Sequence, residues 1–119
     1  MGLEFAVWGK SKAGDGYGGQ VGDRWCAIIE TRKGFTRGNH VHEVDQFTVL
    51  LSGSLKVVTY VDGEYRETVL ERDRVFVTRA GVPHITVALE DSVGYEWWDG
   101  ASSMSPCEGT FDEYLKTAQ

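Results

Sequence analysis

The chain has 119 residues, of which 41% are hydrophobic, and its 12 basic and 18 acidic side chains give a net charge of −6. This length suits a single domain, residues 1–119, with one hydrophobic core, and the hydrophobic fraction excludes a disordered polypeptide. The acidic balance argues against a nucleic-acid partner, and no stretch has the roughly 20 apolar residues that a membrane span needs.

Short apolar runs separated by turn residues predict a chain built of strands. The glycine-rich stretch 14–19 is predicted to be a flexible loop, and Asp62-Gly63 favours a two-residue hairpin turn. A capping box formed by Thr110 and Glu113 predicts a short C-terminal helix over 111–116. The fold class is therefore all-β, as a sandwich, jelly roll or barrel. In chain order the predicted strands are 3–8, 24–30, 46–51, 54–61, 64–70, 74–78, 84–90 and 93–98.

The two cysteines, Cys26 and Cys107, lie far apart and form neither a disulfide framework nor a paired-thiol metal site. Residues 1–10 lack the order of a secretory signal, so we expect a cytoplasmic location. Cys26 lies in an apolar run and is expected to be buried, whereas Cys107 lies in a polar loop and is expected to be an exposed thiol.

The three histidines of the chain are His40, His42 and His84. On an extended strand, His40 and His42 project from the same face, because they are two residues apart. Gln46 follows a short turn over 43–45, and His84 begins another predicted strand. If a β-barrel brings these strand ends together, three imidazoles match the ligand set of a divalent transition metal with open coordination positions. An exposed or hydrogen-bonded His40–His42 pair is the alternative.

The stretch 34–53 resembles the first motif of the cupin family, Gly-x5-His-x-His-x3,4-Glu-x6-Gly, with Gln46 at the position of the glutamate. The second motif is matched less well: Gly81 and His84 fit, whereas Asp73, Arg79 and Ala88 replace its first glycine, its proline and its asparagine. The resemblance implies a cupin jelly-roll β-barrel that binds a divalent transition metal (Fe, Mn, Ni, Zn or Co) through a site formed by His40, His42, Gln46 and His84. It also implies a metal-dependent oxygenase or isomerase acting on a small polar molecule.

Gln46 changes the expected metal chemistry. A carboxamide is a poorer ligand than a carboxylate and leaves a divalent ion with its full charge on three neutral histidines, so Gln46 is either a weak ligand or a neighbour of the ion. We expect Gln46→Glu to tighten metal binding. We also expect metal binding to fade as the pH falls through about 6.5, because protonated imidazoles cannot bind a metal.

A second resemblance is carried by residues 37–42, by Gln46 and by residues 50–54, and it is to cupins that isomerise nucleotide-linked sugars, the 3,4-ketoisomerases. It implies that His40 and His42 are catalytic and shuttle protons without a metal, and that Arg37 contacts the ligand. His84 has no obvious role in that reading. A cupin that binds a sugar or another small molecule without catalysis is the third possibility.

Four further residues are candidates for contact with a substrate: Arg37, Thr48, Thr86 and Trp97. Arg37 could bind an anionic group, which fits the slightly basic charge of residues 1–42, although a solvated surface arginine is the alternative, as it is for Arg79. Thr48 and Thr86 follow Gln46 and His84 by two residues and are expected to share their faces.

Trp97 and Trp98 are adjacent, so on a strand one faces inward and the other outward. The alternation alone does not say which of the two faces inward. An outward tryptophan, together with Trp8 and Trp25, could bury a subunit interface, so we expect a homodimer. No nucleophile–base pair is evident in the sequence.

Overall fold

A computed structural model describes residues 6–100, 104–107 and 109–117 of the chain. Within these residues the chain forms strands that are joined mostly by tight turns, followed by one short helix. The elements are β1 (Ala6–Ser11), β2 (Gly14–Val21), β3 (Arg24–Thr31), β4 (Thr36–His42), β5 (Gln46–Ser52), β6 (Leu55–Val61), β7 (Glu64–Val69), β8 (Val75–Thr78), β9 (His84–Ala88), β10 (Ser92–Trp98), β11 (Met104–Pro106) and α1 (Asp112–Thr117).

The strands form two antiparallel sheets, as the all-β jelly-roll prediction requires. The six-stranded sheet has the order β1-β2-β3-β10-β5-β8, and the five-stranded sheet has the order β11-β4-β9-β6-β7. Apolar side chains of both sheets form the core, which consists of Leu50, Leu55, Val57, Leu70 and Ala88 with Phe76 packed against it. The jelly-roll fold and the short C-terminal helix are confirmed.

Seven of the predicted strands agree with the structure to within two residues at each end. The first predicted strand, 3–8, ends too early, because β1 continues to Ser11; residues 3–5 lie outside the described part. The loop prediction for residues 14–19 is wrong, because they belong to β2, whose ladder pairs Gly16 with Ile29 and Gly18 with Ala27. Pairing with strands on both sides outweighs the low strand propensity of glycine.

The Asp62-Gly63 turn joins β6 to β7, as predicted. Val61 pairs with Glu64 across it, and both turn residues have positive φ, 53° at Asp62 and 78° at Gly63. These values suit the two-residue turn whose twist matches that of the flanking strands. Glycine adopts such a φ at little cost, which explains the dipeptide at this position.

A second hydrophobic cluster joins the C-terminal segment to the five-stranded sheet. It contains the buried residues Val58, Ile85, Cys107 and Phe111, with Tyr114 of α1 packed against them. Cys107 is therefore buried, and the expectation of an exposed thiol is wrong, because Cys107 belongs to one buried cluster with Phe111, the residue before helix α1. Cys26 is buried as expected, and both thiols are free.

Candidate metal centre

The three histidines meet at one point between the sheets. His40 and His42 lie at the end of β4, His84 is the first residue of β9, and the two strands pair so that His40 lies opposite His84. The ring centroids are separated by 4.4 Å for His40 and His42, 4.9 Å for His40 and His84, and 5.3 Å for His42 and His84. One ring nitrogen from each lies within 4.8 Å of the others, so the group could hold a metal ion.

A β-bulge in β4 decides which side chains of this strand face the histidine cluster. The β4–β9 register pairs Arg37 with Thr86 and then shifts by one residue between Gly38 and His40. The extra residue is Asn39, which has a φ of 66°, next to Gly38 at 89°. Without the bulge, Arg37 and His40 would face opposite sides of the sheet, because three positions separate them. The bulge therefore places a cation and the histidines on the same face.

The hydrogen bonds of His84 suit a metal ligand. Its Nδ1 lies 3.1 Å from the carbonyl oxygen of Val82, which can only accept, so Nδ1 carries the proton and Nε2 keeps its lone pair. Nε2 is buried and has no hydrogen-bond partner among the described residues. The Nε2 atoms of His40 and His42 are 2.9 Å apart. A buried lone pair without a donor, beside two further imidazole nitrogens, fits a cation in the space between them.

Burial keeps His40 and His84 uncharged. The pKa of His40 is lowered from 6.5 to about 3. Loss of solvation is the largest cause, and the nearby His84 and His42 lower it further. Loss of solvation also lowers the pKa of His84 from 6.5 to about 4, although its bond to the Val82 carbonyl acts in the opposite direction. Both rings are therefore neutral at pH 7, as a metal requires, and protons compete with a metal for them only at a pH well below the expected 6.5.

Gln46 lies beside the cluster in a buried hydrogen-bond network. Its Oε1 accepts a bond of 3.1 Å from the indole N–H of Trp98, which also lies 3.3 Å from Nε2 of His42. Its Nε2 donates to the Glu96 carboxylate at 2.5 Å and to the Thr48 hydroxyl at 3.2 Å. The carboxamide oxygen therefore lies on the side of the histidines, where it could serve as a further ligand.

Glu96 carries the carboxylate of this network. It accepts a second hydrogen bond, 3.2 Å long, from the Thr48 hydroxyl. Burial raises the pKa of Glu96 to about 7, although the Thr48 bond and the Arg37 guanidinium act to lower it. An acid of this kind is partly ionised at neutral pH, which is unusual for a carboxyl group.

A cavity of about 620 Å³ adjoins the histidines. Both sheets contribute to its walls, and its charged lining residues are Arg37 and Glu96. Arg37 is held in place, because its Nη2 donates to the Glu30 carbonyl at 2.6 Å and its Nε to the Thr31 hydroxyl at 3.3 Å. The full lining is Gln20, Trp25, Ile29, Arg37, Gly38, His40, His42, Gln46, His84, Thr86, Glu96, Trp98 and Met104.

The structure brings some of the other candidate residues to this cavity and leaves others outside it. Thr86 lines the cavity, and Thr48 lines a small recess with Arg37 and Glu96. Trp97 is not among the lining residues: it stacks on Phe47 with a centroid distance of 5.2 Å, and its neighbour Trp98 lines the cavity in its place.

Arg79 also lies outside the cavity lining. Its Nη1 forms an exposed ion pair of 3.2 Å with Asp45, which also accepts the Ala80 N–H. These contacts join the turn after β4 to the turn before β9. Arg79 is therefore a surface arginine, as the alternative interpretation of the sequence has it.

Glu96 and Trp25 are cavity residues that sequence reasoning missed. A signal for Glu96 existed, since it is an acid within the apolar and aromatic strand 93–98 and shares a face with Trp98. For Trp25 the sequence suggests only a place in a subunit interface. Gln20 lies on β2, directly after the predicted loop 14–19.

A family model described as a cupin domain matches residues 27–96, more than half of the chain. No curated protein matches the chain in sequence. Among the residues that the structure describes, no helix is long and apolar enough to cross a membrane.

Several solved structures are similar in fold. Oxalate decarboxylase of Bacillus subtilis (an S161A mutant) gives a TM-score of 0.72 at 18% identity, covering 82% of this chain and 29% of that one. Vicilin of Corylus avellana (hazelnut) gives 0.74 at 11% identity, covering 91% and 35%. A further structure, with a TM-score of 0.66 at 18% identity over 82% and 27% of the chains, concerns the Mn(II) centres of the same decarboxylase. The chain thus spans about a third or less of the length of these proteins.

Proposed function

The chain belongs to the cupin family, and we propose that it holds a divalent transition metal through His40, His42 and His84 and acts on a small anionic molecule in the adjoining cavity. The observation that carries the proposal is the buried Nε2 of His84, which has no hydrogen-bond partner among the described residues and lies beside two other imidazoles. Gln46, with Oε1 turned toward His42, is the proposed fourth ligand.

The donor set favours a transition metal over calcium or magnesium, because neutral imidazole nitrogens suit ions such as Mn, Fe, Co, Ni or Zn, whereas calcium and magnesium prefer oxygen ligands. The Mn(II) centres of oxalate decarboxylase, a protein of the same fold, support manganese as the first ion to test. When bound, such an ion would act as a Lewis acid that polarises a substrate oxygen.

The charges around the cavity favour an anionic substrate. A divalent ion on three neutral histidines keeps a charge of +2, Arg37 adds +1, and Glu96 contributes at most −1. The net positive charge in a partly buried space attracts a carboxylate or another small anion. Arg37 would bind one end of such a molecule, and the Thr86 hydroxyl could donate a hydrogen bond to it. We propose a metal-dependent oxygenase or isomerase on this basis.

The second candidate is an isomerase of a nucleotide-linked sugar that needs no metal. The contact of 2.9 Å between Nε2 of His40 and Nε2 of His42 favours it, because a proton could be shared there. The lowered pKa of His40, about 3, argues against it, since efficient acid–base catalysis needs a pKa near the working pH. A cupin that binds without catalysis fits the same cavity and differs by the lack of turnover.

We also propose a homodimer formed through the outer face of the six-stranded sheet. The rings of Phe47, Trp97 and Tyr95 adjoin one another there, with centroid distances of 5.2 Å and 5.5 Å. Aromatic residues are enriched at interfaces, so a second copy of the chain could cover them. Light scattering on the purified protein tests the dimer, and Trp97→Lys should shift it toward the monomer. The cytoplasmic location stays a prediction.

The proposed function is tested with purified protein in two steps. Elemental analysis should find one manganese or other transition ion per chain after loading, and the His84→Asn variant should retain less than a tenth as much. Calorimetric titration with small carboxylates, oxalate among them, should then show binding to the loaded protein and much weaker binding to the metal-free protein. Equal metal content in both proteins would refute the metal site. Turnover of a nucleotide-linked sugar by metal-free protein would favour the second candidate.

A further inference from the structure

Glu96 lies at the centre of the hydrogen-bond network beside the histidines. We propose that Glu96 is a positioning residue for the metal centre: its carboxylate fixes the Gln46 carboxamide with Oε1 turned toward His42, and its charge partly neutralises a bound cation. The part that concerns the metal rests on the proposed function. The part that concerns the orientation of Gln46 does not, and it can be tested in metal-free protein.

The partners of the carboxamide permit only one orientation. When Glu96 is ionised, its carboxylate accepts hydrogen bonds and donates none, so the group 2.5 Å from it is then the NH₂ of Gln46. The Trp98 indole N–H can donate but not accept, so the group 3.1 Å from it must be the carboxamide oxygen. A flipped amide would place oxygen against oxygen and N–H against N–H. Removing the charge of Glu96 would weaken one of the two hydrogen bonds that fix the orientation of the Gln46 carboxamide.

Burial strengthens the hydrogen bonds that hold the Gln46 carboxamide. Gln46 is 4% exposed, Thr48 3% and Trp98 6%, so water does not compete for these hydrogen bonds. Thr48 closes the network, because its hydroxyl accepts from Gln46 and donates to Glu96. Hydrogen bonds to a charged group in such surroundings are stronger and more directional than those at the surface.

The charge of Glu96 has no substitute within the described cavity lining. Among the described residues that line the cavity, Glu96 is the only acid, and the histidines there contribute no charge when they are neutral. A carboxylate one carboxamide away from a cation still stabilises it, because the buried surroundings screen the charge weakly. The sequence places an amide at position 46, and the structure places a carboxylate directly behind it.

The same contact changes the expectation for Gln46→Glu. That substitution alone would place two carboxylates at hydrogen-bond distance, where they must share a proton or move apart. The exchange variant Gln46→Glu/Glu96→Gln keeps one carboxylate and one amide in contact with their places reversed. We expect tighter metal binding from the exchange and not from the single substitution.

The first measurement is the affinity for Mn(II), by competition with a chelator of known affinity. Glu96→Gln should weaken it by about tenfold to a hundredfold, as is typical when a partner of a metal ligand is lost. The exchange variant should restore at least the wild-type affinity. The control is Glu30→Gln, which removes an exposed acid of the same sheet and should stay within about twofold of wild type. Unchanged affinity in Glu96→Gln would overturn the proposal.

The second measurement is NMR of the Gln46 side-chain amide in metal-free protein. Its proton bonded to the carboxylate should resonate downfield of a free glutamine amide and should move upfield in Glu96→Gln but not in Glu30→Gln. A residue that only supports packing would not produce this pattern. If Glu96→Gln weakens metal binding while the amide resonance stays in place, or if the exchange restores nothing, the positioning role is refuted. If the wild type binds no Mn(II), the proposed function fails, and the amide resonance alone decides the positioning role.

Discussion

Lowering the pH should destabilise the metal-free protein through His84. The pKa of His84 is about 4 in the folded chain and about 6.5 when unfolded, so the unfolded state binds more protons between these values. The stability that depends on a neutral His84 is therefore complete above pH 6.5 and is lost as the pH falls toward 4. Between about pH 7.5 and pH 5, this residue should lower the free energy of unfolding by about 2 kcal/mol, which is one and a half pKa units at 1.36 kcal/mol each.

Glu96 acts in the opposite direction, which makes a matched variant necessary. Its pKa of about 7 is raised above the usual 4.5, so the folded state takes up a proton there as the pH falls, and this offsets part of the loss. The contribution of His84 is isolated by comparing wild type with His84→Gln, in which the other groups remain. Urea unfolding is measured with a chelator present at pH 7.5 and at pH 5. Between these pH values the free energy of unfolding should fall by about 2 kcal/mol more in wild type than in His84→Gln. An equal loss in both proteins would refute the view that burial keeps His84 neutral.

Three further predictions test the fold and the cavity. Ile85→Ala should lower the free energy of unfolding by about 2 to 5 kcal/mol, because Ile85 is fully buried. The control Val69→Ala, at a position that is 54% exposed, should change it by less than about 0.5 kcal/mol. Similar effects of the two substitutions in urea unfolding would contradict the described core. Gly63→Ala should cost about 1 kcal/mol, since the turn holds this residue at a φ of 78°, and an unchanged urea midpoint would argue against that turn. Arg37→Gln should weaken oxalate binding to manganese-loaded protein by about tenfold to a hundredfold at unchanged metal content, and equal calorimetric affinities would exclude Arg37 as the anion contact.

Local patterns in the sequence were sufficient to predict most of the strands. Alternation of apolar and polar residues marks β6, and Asp62-Gly63 marks the turn that follows it. Residues 14–19 show the limit of such patterns, because their strand exists only through pairing with β1 and β3. Cys107 shows the same limit, since its burial depends on the distant packing of Phe111 and α1 against the five-stranded sheet.

The meeting of the histidines could be anticipated from their spacing and from the cupin resemblance, whereas their surroundings could not. The bulge at Asn39, which turns Arg37 to the same side as His40, depends on a register shift between two strands. The pairing of Gln46 with Glu96 joins strands 50 residues apart and has no local signature. The low pKa values of His40 and His84 arise from burial, which a sequence does not reveal directly.

X-ray absorption spectroscopy of the manganese- or zinc-loaded protein tests the metal centre most directly, because the scattering of imidazole rings counts the histidines that bind the ion. A coordination sphere with three imidazole nitrogens, falling to two in His84→Asn, is the result that the histidine cluster predicts. A shell of oxygens alone, or an imidazole count that the substitution leaves unchanged, would contradict a metal centre built from His40, His42 and His84.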